Sequence, residues 1–359
     1  MDATRLDVLG TPFSRLGAWL DDLGVGSTHA SRVFRGLHRD RVDLSEVRDL
    51  GRHAAVVTQA GWWARADLVE RVPAPGGVER VVFALHDGAR VEGVVLPSAA
   101  PGRATLCLSS QVGCAMGCAF CATGTLGLTR SLSAGEIVAQ VHAVRAHLEG
   151  SGRALTHLVF MGMGEPLHAY GAVRDALHVL FDQHGDPFDR KKVTVSTVGL
   201  VDRMARLLDD FDGRIQLALS LHAGSDATRR RIIPSARASS LSDLRGAAEA
   251  YEARAKGRLL VEYVVLPGVN DTEAELAGLA DWMRGLRGIV NLIPFNPFPG
   301  MPFRSPSDDE VGRVAGFLRD RDIPVSVRWP RGRAAQGACG QLMLAPAGAP
   351  SERTPEPAS

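Results

Sequence analysis

Seven short apolar runs, separated by amphipathic segments, are the feature that most constrains how this chain can fold. They are ATLCLSS, LTHLVFMG, KVTVSTVG, IQLALSLH, LLVEYVVLP, VNLIPFNP and IPVSVRW. Between them, apolar residues recur at helical spacing, as at Ile137, Val141 and Val144. Runs that are apolar on both faces and alternate with helices indicate a parallel sheet covered on both sides. We therefore predict an α/β fold, a partial or complete (βα) barrel, with active residues at the carboxyl ends of its strands.

Three of the predicted helices begin with the same signal. A Ser or Thr followed three residues later by Glu is typical of a capping box, in which each side chain bonds the backbone amide of the other residue. The pairs are Ser133 with Glu136, Thr272 with Glu275, and Ser307 with Glu310. These pairs mark where three of the helices between strands start.

The residues before and after the alternating pattern form separate predicted segments. Residues 1–75 predict a small domain of short helices, and residues 76–103 predict a β-hairpin, with Asp87-Gly88 as its turn, and a linker. The barrel is expected to span residues 104–344. Residues 345–359 are rich in Pro, Ala and Ser without an apolar period, which predicts a disordered tail.

The composition of the chain limits the cellular compartments in which we expect the protein. No run of eighteen apolar residues occurs, and the first residues lack a basic-then-apolar signal pattern, so we expect neither a membrane span nor export. The chain has five cysteines, an odd number with three of them clustered, which favours a reducing, cytoplasmic setting over a disulfide framework. The net charge of +1 neither supports nor excludes a nucleic-acid partner.

The clustered cysteines, Cys114, Cys118 and Cys121, stand in the loop after the first apolar run. Three thiolates at this spacing can converge on one metal ion or cluster. A structural zinc takes four ligands, so zinc would need a remote fourth ligand. A cubane iron–sulfur cluster that only carries electrons takes four cysteines, so three would leave one iron open to a substrate. The remaining alternative is three small buried apolar side chains.

The spacing Cys-x3-Cys-x2-Cys, with the aromatic Phe120 before the last cysteine, resembles the signature of radical S-adenosylmethionine (SAM) enzymes. The resemblance implies a [4Fe-4S] cluster on Cys114, Cys118 and Cys121. In that superfamily the open iron chelates the amino and carboxylate groups of SAM. One electron then splits SAM into methionine and a 5′-deoxyadenosyl radical.

Further segments narrow the resemblance. VEGVVLP, RATLCLSSQVGC, FCATG, MGMGEP, SLH, NLIPFNPFPG and ACGQL occur in this order. Over residues 30–344 the chain is similar to the RlmN/Cfr family of radical SAM RNA methyltransferases. This resemblance implies methylation of an adenine carbon in RNA, with two SAM molecules used per turnover. It also implies that the N-terminal region helps to hold RNA.

The chemistry of adenine explains the two remaining cysteines. C2 and C8 of adenine are poor nucleophiles, so direct methyl transfer from SAM should be very slow, whereas a carbon radical can add to them. The resemblance implies that Cys339 carries the methyl group that becomes this radical. It implies that Cys107 releases the resulting thioether by forming a disulfide, and that Glu92 removes the ring proton. For a lone cysteine, a place in the core is the alternative.

The resemblance also implies a set of SAM-binding residues at strand ends. They are Gly164, Glu165, Ser196, Ser220, Leu221, His222 and Asn296. A glycine permits close approach of a ligand, and a carboxylate can bind the SAM ammonium group. Taken singly, GMGEP could be a turn, and His222 a hydrogen-bonded core histidine.

The partners follow from the same resemblance. We expect C2 methylation of 23S ribosomal RNA, with transfer RNA as a second substrate, by a monomer that receives electrons from a donor such as flavodoxin. C8 methylation, as in Cfr, is the alternative, and a radical SAM maturase or a zinc-stabilised RNA-binding module are others. The family usually has acidic residues where this chain has Arg333, Ala334, Ala335 and Gln336.

Three basic clusters could contact RNA phosphates or could be solvated surface. They are Arg190 to Lys192, Arg229 to Arg231, and Arg331 with Arg333. The third cluster lies nearest to Cys339 in sequence, which favours it as the RNA contact.

Overall fold

The computed structural model describes residues 5–98, 100–329 and 342. The strands of its main sheet are β1 (Ala66–Ala74), β2 (Val78–Leu85), β3 (Arg90–Pro97), β4 (Arg103–Cys107), β7 (Ala154–Phe160), β8 (Val193–Thr197), β9 (Gln216–Ser220), β10 (Leu260–Val265), β11 (Ile289–Pro294) and β12 (Val325–Val327). Two short strands, β5 (Gln111–Gly113) and β6 (Leu128–Ser131), form a separate ribbon.

Within the described residues, three helices precede β1, one short helix lies between β5 and β6, and the remaining helices alternate with the strands after β6. The helices are α1 (Phe13–Asp22), α2 (Ala30–Arg35), α3 (His53–Ala60), α4 (Ala122–Thr125), α5 (Ala134–Leu148), α6 (Tyr170–Phe181), α7 (Val201–Asp210), α8 (Asp226–Ile232), α9 (Leu241–Arg254), α10 (Glu273–Met283) and α11 (Asp308–Arg319). One longer helix or a helix pair separates each strand of the main sheet from the next after β4, as in a (βα) barrel.

The sheet is an open barrel. From β4 to β12 neighbouring strands pair in parallel, whereas β1, β2, β3 and β4 pair antiparallel. Within the described residues the edge strands β1 and β12 do not pair with each other. The predicted α/β fold is therefore confirmed, in its partial form.

The two faces of the parallel strands differ in polarity, which corrects the expectation that both are apolar. Ser220, Glu262 and Asn291 are neighbours across β9, β10 and β11 and therefore point to one face. Residues one position away, such as Val261 and Leu292, point to the other face and are fully buried. The helices cover this apolar face. The polar face instead lines an internal cavity, which is why it is not packed with apolar side chains.

The helix starts follow the sequence signals with one difference. Ser133 Oγ accepts a hydrogen bond from Glu136 N, and the Glu136 carboxylate accepts one from Ser133 N; Ser307 and Glu310 form the same two bonds. Such caps are typically worth about 1 kcal/mol. Thr272 caps α10 from one side only. The carboxylate of Glu275 turns away to Ser225 Oγ and Gly224 N, so the reciprocal bond is missing.

The N-terminal segment packs onto the barrel. Its helices share one hydrophobic core with the sheet and α5. Asp7 Oδ2 accepts a hydrogen bond from Gly135 N at the start of α5, over 2.8 Å. β1 lies inside the segment predicted to be helical, because residues 66–74 pair with β2 and extend the predicted hairpin to three strands. Within the described part of the chain, no helix is long and apolar enough to cross a membrane.

Several predictions concern residues outside the described ranges. They are the methyl carrier Cys339, the basic pair Arg331 and Arg333, the atypical segment from Arg333 to Gln336, and the tail 345–359. The domain boundaries drawn from the sequence stay predictions.

Candidate active site

A cavity opens at the carboxyl ends of the parallel strands, where the fold predicts the active site. Nine of the predicted site residues line it: Cys114, Cys118, Cys121, Gly164, Glu165, Ser196, Ser220, His222 and Asn296. Leu221 lies behind them with its side chain fully buried, and its backbone amide donates to Glu262 O over 3.1 Å. The structure therefore brings together residues that are up to 182 positions apart in the sequence, from Cys114 to Asn296.

The cysteine loop is held by its own backbone and by α8. Cys121 N donates to Cys118 O over 3.1 Å, and Ala119 N donates to Ile232 O over 2.9 Å. Gly124 packs directly against this turn, because a Cβ atom there would lie 2.9 Å from both the N and O atoms of Cys118. The close approach explains the glycine and fixes how the loop wraps around the cavity.

The three thiols lie in a dry environment. Burial raises the pKa of Cys114 to about 12 and that of Cys118 well above the usual range, and the neighbouring thiols add to both shifts. Burial also raises the pKa of Cys121. A thiol in such a place stays protonated unless a metal compensates its negative charge. The donor set therefore fits an iron–sulfur cluster, which would bind three deprotonated thiols here.

Within the described residues, no group of three or more His, Cys, Asp or Glu is placed to hold a single metal ion. Three thiolates on one tetrahedral ion would lie roughly 3.8 Å apart, given metal–sulfur bonds of about 2.3 Å. In a cubane cluster the thiolates bind different irons and lie farther apart. The described side chains are therefore not arranged around one ion, as a zinc site would require, whereas a cluster does not require that arrangement.

The segment GMGEP ends β7 and presents Glu165 to the cavity. Gly164 has φ +98°, and a Cβ atom there would lie 2.5 Å from Gln111 Cβ, so the chain needs glycine at this position. The carboxylate of Glu165 accepts hydrogen bonds from Leu167 N at 3.0 Å and Val198 N at 2.9 Å. Burial raises the pKa of Glu165 to about 7, and these hydrogen bonds oppose the shift. A bound ammonium group would favour the ionised form.

His222 is a neutral donor that faces the cavity. Its Nδ1 accepts a hydrogen bond from Val264 N at 2.9 Å, so the ring proton must lie on Nε2. Burial, and secondly the charge of Arg229, lower the pKa of His222 to about 3. The ring also meets Phe120 edge to face, with centroids 4.8 Å apart. His222 is thus both a hydrogen-bonded buried histidine and part of the cavity wall.

The two predicted serines and the asparagine complete the polar wall. Ser196 and Ser220 lie on neighbouring strands with their Oγ atoms 3.5 Å apart. Asn296 follows β11 and is 4% exposed. Hydroxyl and amide groups of this kind can both donate and accept hydrogen bonds, so they suit a ligand with polar groups of both types.

Glu92 and Cys107 lie outside the cavity lining. Cys107 pairs with Val94, two residues after Glu92 on β3, so both side chains point to the same face of the sheet, and both are buried. Arg80 bonds Glu92 Oε1, while Oε2 has no partner within the described residues. Burial raises the pKa of Glu92, and Arg80 opposes that shift. A buried acceptor of this kind is available for a proton.

Sequence reasoning missed two cavity residues, Glu262 on β10 and Arg328, which follows β12. Glu262 Oε1 accepts a hydrogen bond from Asn291 Nδ2 at 2.9 Å, and Arg328 Nη2 lies 3.6 Å from the same oxygen. Glu262 Oε2 has no partner among the described residues, and both Glu262 and Arg328 line the cavity. The sequence does carry a signal for Glu262, which is a charged residue inside the apolar run LLVEYVVLP.

One residue of the basic clusters, Arg229, differs from the prediction of RNA-binding or solvated surface. Arg229 is 1% exposed and points inward, whereas Arg230 and Arg231 are exposed, because α8 turns only one of three consecutive residues toward the core. The predicted cluster from Arg190 to Lys192 precedes β8. It therefore lies at the end of the sheet opposite to the cavity.

Comparisons with known proteins agree with this geometry. Residues 108–280 match the model of the radical SAM superfamily. The dual-specificity RNA methyltransferase RlmN of Halorhodospira halophila is 41% identical over 347 residues, 94% of this chain and 93% of that protein. The probable RlmN of Thermus thermophilus is 39% identical over 84% of each chain. The crystal structure of a radical SAM methyltransferase from Sphaerobacter thermophilus matches with a TM-score of 0.86 and 38% identity, covering 94% of this chain and 99% of that one.

Proposed function

The chain belongs to the RlmN family of radical SAM RNA methyltransferases, and we propose that it methylates C2 of an adenine in RNA. Its cofactors are the [4Fe-4S] cluster and SAM of that family. The observation that supports the proposal most is one cavity, at the carboxyl ends of the strands, lined by three thiols, a buried carboxylate and a neutral histidine. We propose 23S ribosomal RNA and transfer RNA as substrates.

We assign the residues of the cavity wall as follows. Cys114, Cys118 and Cys121 hold the cluster, which when bound supplies one-electron chemistry at SAM. Glu165 accepts a hydrogen bond from the SAM amino group, because its carboxylate is fixed by two backbone amides and faces the cavity. His222 donates from Nε2. Ser196, Ser220, Leu221 and Asn296 complete the SAM site, Leu221 through its backbone.

The methyl transfer itself uses Cys339, Cys107 and Glu92. Cys339 lies outside the described residues, but Leu342, three positions later, accepts a hydrogen bond from Thr123 Oγ1 at 2.7 Å. Thr123 is two residues after the cluster cysteine Cys121, which supports a carrier role next to the cluster. The unpartnered oxygen of Glu92 and its raised pKa suit a base that takes the ring proton.

The remaining parts of the proposal concern the setting. We propose that the protein is a cytoplasmic monomer and that a flavodoxin-type protein supplies its electrons. The relatives are named as RNA methyltransferases, which argues against the alternative that this protein is a radical SAM maturase with a different substrate.

The test is mass spectrometry of adenosines in 23S ribosomal RNA and transfer RNA from cells with and without the gene. We expect 2-methyladenosine only in cells that contain the protein. A strain with Cys118→Ala is the control, and it should lack the product because the cluster is lost. Finding 8-methyladenosine instead would contradict the assignment of C2, and finding neither product would contradict the proposed function.

A further inference from the structure

Arg229 is a buried cation behind the cavity wall. It extends from α8 and is 1% exposed. Its Nε donates to Leu221 O over 3.2 Å, and its Nη2 donates to Val198 O and to Ser220 O. These carbonyls end β8 and β9, so one guanidinium joins the strand ends that carry the serines and His222. Nη1 is buried and has no partner within the described residues.

Within the described part of the chain, Arg229 forms no ion pair, and its side-chain hydrogen bonds go to backbone carbonyl oxygens. Asp226, one turn earlier in α8, instead accepts a hydrogen bond from Leu241 N over 2.9 Å. A charge buried without a counter-charge is strongly unfavourable. Three carbonyl oxygens reduce this penalty but do not neutralise the charge. The guanidinium therefore has no anion in direct contact, although the charge of Asp226 favours its cationic form.

The cysteine loop next to α8 can supply such an anion, because its thiols would be deprotonated when they bind a cluster. The end of α8 bonds the loop directly, through Ala119 N and Ile232 O. The charge of Arg229 favours the thiolate of Cys118, and a Cys118 thiolate favours the charged guanidinium. Burial lowers the pKa of Arg229 only to about 10, so the side chain is a cation at neutral pH.

We infer that Arg229 is the counter-charge of the thiolate-bound iron–sulfur cluster and raises its reduction potential. The inference rests on the proposed function, because it needs the cluster. Reduction adds one negative charge to a group that is already anionic with its three thiolates. In a medium of low dielectric constant, a nearby fixed cation stabilises the reduced state more than the oxidised state. Arg229 is thus a positioning residue that also makes the first electron transfer easier.

Redox titration of the reconstituted holoenzyme, followed by electron paramagnetic resonance, tests the inference. In Arg229→Gln the reduction equilibrium should shift at least tenfold toward the oxidised cluster, which is about 59 mV for a one-electron couple. Arg230→Gln and Arg231→Gln are matched controls, because they remove the same charge from exposed positions of the same helix. Both should keep the wild-type potential.

Arg229→Lys separates charge from hydrogen bonding. It keeps the cation but loses the fork of donors, so we expect it to keep most of the wild-type potential. An Arg229→Gln protein with full iron content and an unchanged potential would overturn the inference, as would a lysine variant shifted as far as the glutamine variant. If the glutamine variant binds no iron, a loaded lysine variant with a near-normal potential supports the inference, and failure of both to load overturns it. A wild-type protein without a cluster would refute the proposed function itself.

Discussion

The carboxylate of Glu165 accepts a hydrogen bond from the backbone amide of Val198 at 2.9 Å, which ties the end of β7 to the end of β8. The guanidinium of Arg229 bonds the carbonyl of the same Val198. One residue thus connects a buried carboxylate that faces the cavity to a buried cation behind it. The two charges are held apart by the backbone of Val198, which leaves the carboxylate available for a ligand.

The substitution Glu165→Gln should weaken SAM binding at least tenfold, because a hydrogen bond from the SAM amino group to a charged carboxylate, worth about 1.5–3 kcal/mol, is lost. The pH dependence follows from the pKa of about 7. The ionised carboxylate is the stronger hydrogen-bond acceptor for the SAM amino group, so wild-type affinity should fall as the pH is lowered through that pKa.

Equilibrium binding of SAM to reconstituted protein over a range of pH measures both effects. Glu273→Gln, at an exposed position of α10, is the control and should behave like the wild type. Equal affinities of wild type and Glu165→Gln at all pH values would contradict the assigned role.

His222 should contribute to stability and to ligand binding through different nitrogen atoms. Replacement by Phe leaves Val264 N buried without an acceptor, which should lower the free energy of unfolding by about 1–3 kcal/mol. Replacement by Asn places an oxygen at the position of Nδ1 and tolerates the backbone angle φ +60°, so it should recover most of that loss.

Urea unfolding measures the stability of both His222 variants, and SAM titration measures their affinity. Since both variants lack the Nε2 donor in its present place, both should bind SAM more weakly. If the Asn variant proved as unstable as the Phe variant, the hydrogen bond from Val264 would not be the source of the effect.

Glu262→Gln should stabilise the fold while impairing the site. Burial raises the pKa of Glu262, so the folded protein holds a proton that the unfolded chain releases, and stability falls as pH rises between the two pKa values. The amide variant avoids this loss, and we expect about 1 kcal/mol more stability at neutral pH. The gain should shrink as the pH is lowered toward the usual pKa of Glu.

The same variant replaces the unpartnered acceptor Oε2 with an amide group that can present a donor. Ligands that donate hydrogen bonds to this wall should then bind several-fold more weakly. Urea unfolding at two pH values measures the gain in stability, and SAM and RNA binding assays measure the loss of affinity. A variant that bound both ligands normally would assign Glu262 to structure alone.

The sequence predicts the cavity well because its residues follow strands, and a parallel barrel brings the carboxyl ends of strands together. The cysteine loop is local, so its spacing is visible without a structure. The pairing of Glu262 with Asn291 depends on the register of β10 and β11, which no local pattern reveals. The inward orientation of Arg229 depends on the rotation of a short helix, and three consecutive arginines give no hint of which one is buried. Glu275 likewise follows a capping pattern, but distant groups compete for its carboxylate.

The last prediction concerns Cys107. In the proposed reaction a methylene joins Cys339 sulfur to the adenine, and the Cys107 thiolate attacks that sulfur. Before this attack, the radical adduct returns one electron to the electron carrier and loses its ring proton to Glu92, which leaves a closed-shell thioether. The attack then forms a disulfide and breaks the bond between the Cys339 sulfur and the methylene carbon, which leaves as a carbanion and gains a proton. Without the Cys107 thiol, the thioether that joins Cys339 to the RNA should persist. Cys107→Ala protein should therefore give a slowly migrating, RNase-sensitive protein–RNA band on denaturing gels. Cys339→Ala should give no such band, and the double variant should resemble it, because loss of the carrier acts earlier. Normal turnover by Cys107→Ala, with no trapped species, would leave Cys107 as a small buried residue of β4.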